Sequence, residues 1–75
     1  MTHKFNYEND EYEIRSAAFD TKYEAAVFFQ NRKLCSNFSV SFEMASDFNK
    51  TTGKNMLNEI IKILESEVRN GNIKK

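Results

Sequence analysis

Three polar two-residue steps, Asn9-Asp10, Asp20-Thr21 and Asn31-Arg32, fall about eleven residues apart and separate runs rich in aromatic and β-branched side chains. Strand-length runs punctuated at that rhythm are the signature of an antiparallel meander. A two-residue hairpin loop also fixes register, so the turn positions predict the pairs. Phe5 is expected to face Ile14 and Tyr7 to face Tyr12. Ile14 then faces Val27, Ala25 faces Phe38, Tyr23 faces Val40 and Phe28 faces Cys35. The predicted strands are residues 3–8, 11–19, 22–30 and 33–44. The last alternates most cleanly, with Phe38, Val40, Phe42 and Met44 on one side and Asn37, Ser39, Ser41 and Glu43 on the other.

The period then changes. Met56, Leu57, Ile60, Ile61, Leu64 and Val68 recur at helical spacing, which predicts a helix over residues 53–70. Thr52 is the expected N-cap and Gly71 the expected left-handed residue just past the end. Glu65 and Arg69 stand at i,i+4 in the favourable order. Ile63 lies at the margin of the apolar stripe and is expected to pack on the broad sheet. Phe48 lies off that stripe, so residues 45–51 are expected to form a short separate helical turn breaking near Gly53. Met44 and Phe48 would then plug one end of the core. The result is a single α+β domain over residues 1–75. It has two layers: a four-stranded antiparallel sheet with one face covered by an amphipathic helix.

The other face of that sheet carries the one functional hint. Lys4, Asn6, Glu13, Arg15, Glu24, Asn37 and Ser39 make it polar, yet Ala17, Ala26, Phe28 and Cys35 point the same way, with Phe19 at the strand end. Together with Arg15 these form a candidate contact strip. Scattered surface hydrophobicity is normal, and strand twist could tuck Phe28 under its neighbours. Against those ordinary accounts stands a two-fold contact between copies, which would use the same strip twice. The expected function is therefore a small non-enzymatic protein–protein interaction domain, as a homodimer or docked on another protein.

Composition narrows the alternatives. Eleven basic and eleven acidic side chains cancel, which disfavours nucleic acid, although Phe28 flanked by Arg15, Lys4 and Lys33 is a conceivable base-stacking site. A single histidine, His3, and a single cysteine, Cys35, supply too few ligands for a metal site and no nucleophile–base pair. No cofactor is expected. Glu8, Asp10, Glu11 and Glu13 cluster at the first turn, where they are expected to be solvated. Thr51-Thr52-Gly53-Lys54 has the wrong order for a phosphate loop, although the helix start at Gly53, Lys54 and Asn55 is a conceivable anion site belonging to a small-ligand alternative. No apolar run approaches membrane-spanning length or resembles a secretion signal, and the lone thiol suits a reducing compartment. A cytoplasmic location is expected.

Overall fold

Two of the three reversals fall one residue earlier than their spacing predicts, and asparagine is the reason. In this computed structural model, which describes residues 1–75, the central turn pairs are Glu8-Asn9, Asp20-Thr21 and Gln30-Asn31. Glu8 and Asn9 have φ of 49° and 68°, and Gln30 and Asn31 have 49° and 65°. Both central residues of a tight hairpin turn of this type are left-handed. Asparagine is the non-glycine residue that best tolerates that region. Each turn therefore settles with its Asn in the second central place.

The strands are β1 (Thr2–Tyr7), β2 (Asp10–Phe19), β3 (Lys22–Phe29), β4 (Arg32–Lys33) and β5 (Phe38–Ser41). They form one antiparallel sheet in the order β1-β2-β3-β4, with β5 beside β4 on the same flank of β3. Moving a turn by one residue slides the pairing by two, so each side chain keeps its face. Phe5 lies opposite Tyr12 rather than Ile14, and Tyr7 opposite Asp10 rather than Tyr12. Ile14 meets Val27 as expected. Ala25 meets Phe38 and Tyr23 meets Val40, also as expected.

The predicted fourth strand is not continuous. Near its turn Phe28 pairs with Lys33, a register two residues away from the one β5 follows. Residues 34–37 absorb the difference as an excursion between β4 and β5. At the far end, the alternation through Phe42 and Met44 gives way to helix α1 (Phe42–Thr52). Ser41 explains the switch: its hydroxyl accepts the Met44 N–H at 3.1 Å, capping the new helix. The separate helical segment and its break at Gly53 (φ 73°) are as expected, but the helix begins earlier. Met44 is 60% exposed and plugs nothing, and Phe48 is half-buried.

Helix α2 (Met56–Arg69) starts at Asn55, whose side chain accepts the Asn58 N–H; Thr52 instead closes α1, donating to the Phe48 carbonyl. Beyond Asn70, the Gly71 N–H reaches the Val68 carbonyl and the Asn72 N–H reaches the Glu67 carbonyl. With Gly71 at φ 80°, this is a Schellman turn. Helix α2 lays Ile60, Ile61, Leu64 and Val68 on Phe5, Tyr12, Ile14, Ala25, Val27 and Val40. Each Val, Leu, Ile or Phe side chain of this set, fully buried, contributes about 1.5–3 kcal/mol. Ile63 is 47% exposed and does not reach the sheet.

Candidate interaction face

Alternation along β2 and β3 sets Arg15, Ala17 and Phe19 beside Glu24, Ala26 and Phe28 on the sheet face away from both helices. Arg15 lies opposite Ala26, Glu13 opposite Phe28 and Ala17 opposite Glu24. All of these but Glu13, with Asn37 from the 34–37 excursion, line an open depression of ≈ 310 Å³. Five of the six residues singled out from the sequence therefore come together: Arg15, Ala17, Phe19, Ala26 and Phe28.

Cys35 does not join them. The register change that makes Lys33 the partner of Phe28 carries Cys35 into the excursion, where it packs against the core cluster. Its Sγ accepts the Val27 N–H at 3.4 Å, standing in for a ladder carbonyl that the broken strand no longer supplies. Nothing in the residues themselves announces that excursion, because no proline or glycine marks it.

The apolar groups of the face are not equally available. Arg15 lays its guanidinium 4.3 Å from the centroid of the Phe28 ring. The same guanidinium donates to Glu13 at 3.1 Å and to the Asn31 side-chain oxygen at 2.6 Å. Phe28 is thus half-buried under its own neighbour, and that ring face is closed to a stacking base. Ala26 is 2% exposed and forms the floor. Asn37 donates to Glu24 at 2.6 Å and Lys22 lies 3.8 Å from the same carboxylate, fixing the opposite rim. Phe19 remains 65% exposed at the mouth, with exposed Ala17 beside it. An apolar centre between two rims that each carry an ion pair, Arg15 with Glu13 and Lys22 with Glu24, can match a surface of the same pattern.

In the acidic first turn Glu8 and Glu11 are exposed as expected, while Asp10 and Glu13 are half-buried. The Lys75 ammonium pairs with Asp10 and lies 5.1 Å from the Phe29 ring centroid. The hydrogen bond to Asp10 holds the Lys75 pKa above its ordinary value. Partial burial, helped by the Glu8 carboxylate, pushes the Tyr7 phenol up as well. At the start of α2, Gly53, Lys54 and Asn55 offer an exposed turn in which Asn55 already caps the helix with its own side chain.

No three His, Cys, Asp or Glu side chains assemble into a metal-holding group. No helix is long and apolar enough to cross a membrane. No protein-family model, curated protein or solved structure matches the chain.

Proposed function

We propose that this chain is a small non-enzymatic protein–protein interaction domain that pairs with a second copy of itself through the outer sheet face. The observation that carries the reading is Phe19, 65% exposed beside a depression floored by Ala26, on a face that neither helix covers. The occupant is argued from charge. Arg15 and Lys22 lie on this face together with Glu13 and Glu24, so a two-fold arrangement can set each basic group near an acidic one. A net charge of zero removes long-range repulsion between copies. The small core adds a motive, since a partner supplies burial that a chain of this size lacks. A reducing compartment such as the cytoplasm suits the single free thiol.

Light scattering across about 10 µM to about 1 mM tests the reading. Wild type should approach the mass of two chains, while Phe19→Asp and Ala17→Asp should remain single. Neither position contributes to the core cluster, so both variants should keep the wild-type circular dichroism. Wild type that stays single throughout overturns the proposal, and so do variants that pair as wild type does.

A further inference from the structure

The Schellman turn at Gly71 folds the following residues back over the sheet instead of letting them run off the helix axis. Ile73 then packs against the core cluster, its N–H also reaching the Glu67 carbonyl at 3.2 Å. Two residues on, Lys75 crosses to the β1–β2 turn, where it meets Asp10 and the Phe29 ring. Beneath this crossing runs an aromatic row. Phe5 and Tyr12 have ring centroids 5.6 Å apart, and Tyr12 and Phe29 5.3 Å.

The crossing segment does not lie flush on that row. A depression of ≈ 370 Å³ remains between Tyr7, Glu8, Tyr12 and Val68 on one side and Ile73 and Lys75 on the other. The segment is therefore held at its two ends, by an apolar side chain and by an ammonium, with unfilled space between. The second attachment is exposed: the Lys75 and Asp10 side chains are 47% and 29% accessible. Attraction between charges so exposed is weak and is screened by salt.

We infer that the segment after Ile73, residues 74–75, is a salt-sensitive strap, anchored by Ile73 and latched by Lys75 on Asp10 and Phe29, that closes over the Tyr7–Tyr12–Phe29 end of the sheet. With the latch made, the strap covers one face of Phe29 and limits access to the aromatic row. With the latch screened or removed, the strap swings away beyond Ile73, which stays packed on the core, and Phe29 is uncovered at the rim of the depression. The device lies at the β1–β2 turn end, away from Phe19, and does not depend on pairing between copies.

Backbone amide NMR of the full chain tests it. In wild type, raising salt from about 20 mM to about 500 mM should shift the resonances of Asp10, Tyr12, Phe29, Ile73 and Lys75 together, leaving Ile14 and Val27 in place. Lys75→Gln and Asp10→Asn should each begin near the high-salt positions and respond to salt several-fold less. The reversed pair, Asp10→Lys with Lys75→Asp, should recover the salt response, though not the contact with Phe29. The strap is overturned if the wild-type response is absent or spread over the whole sheet, if Lys75→Gln leaves Tyr12 and Phe29 unmoved, or if the reversed pair stays unresponsive. Should a variant fail to fold, the wild-type titration decides alone.

Discussion

Asn9 and Asn31 occupy equivalent places in two similar turns, yet they are not equally free to change. Glu8 and Asn9 both sit at positive φ, and a left-handed residue with a side chain costs up to about 1–2 kcal/mol. Glu8→Asn together with Asn9→Gly should therefore stabilise the fold by about 1 kcal/mol. In a domain of this size that raises the melting temperature by about 4–8 °C in a thermal scan. Asn31→Gly relieves similar backbone strain but removes the oxygen that holds Arg15 over Phe28, so the same scan should show little or no gain. Cys35 makes a second residue-scale case. Cys35→Ala strips the Val27 N–H of its acceptor inside a fully buried stretch of β3. Leaving a buried donor unpaired costs about 1–3 kcal/mol, the low end applying here because sulfur is a weak acceptor. Cys35→Ser retains an acceptor and should cost less; urea midpoints of the two variants check the order.

Among the elements, α2 is held by burial and α1 by its caps. No residue of α1 is buried, whereas Ile60, Ile61, Leu64 and Val68 of α2 all are. Ile60→Ala should cost about 2–5 kcal/mol by emptying part of the core. Ile63→Lys, three residues along the same helix, should change stability by no more than about 0.5 kcal/mol, since its side chain stands in solvent. Equilibrium urea unfolding of both variants measures the contrast. The same pair shows what the residues alone disclose. A helical stripe reads clearly where its spacing is unambiguous, as from Ile60 to Val68, but the width of the covered band depends on which neighbours reach it. The β-strand faces were legible for a similar reason: alternation survived even where the turns moved. What stayed hidden was decided by single side chains making local backbone bonds. Ser41 ended a strand that alternation alone would have continued, and the unmarked excursion at residues 34–37 took Cys35 off the outer face. The strip around Phe28 was visible as a pattern, whereas its cover, Arg15, depended on an Asn in the turn that leaves the neighbouring strand.

At the scale of the whole molecule, the last residues of the chain meet the β1–β2 turn through charge, and this bears on how stability responds to alkali. Lys75 has its pKa raised from 10.5 and Tyr7 from 10.0. Both groups hold their protons more tightly when folded. Their contribution is thus complete below the unfolded values and is lost as pH rises through the folded ones. The urea midpoint should fall as the pH rises past the ordinary values of the two groups, and Lys75→Gln or Tyr7→Phe should each flatten part of that fall. The interrupted flank formed by β4 and β5 has a different consequence. An unbroken outermost strand invites neighbours to add on indefinitely, hydrogen bond by hydrogen bond. Here that margin consists of a two-residue piece and a four-residue piece in different registers, so an incoming segment can match one only by missing the other. Growth by stacking molecules side to side is therefore discouraged at its first step on this flank, which leaves the six-residue β1 as the only continuous margin of the sheet.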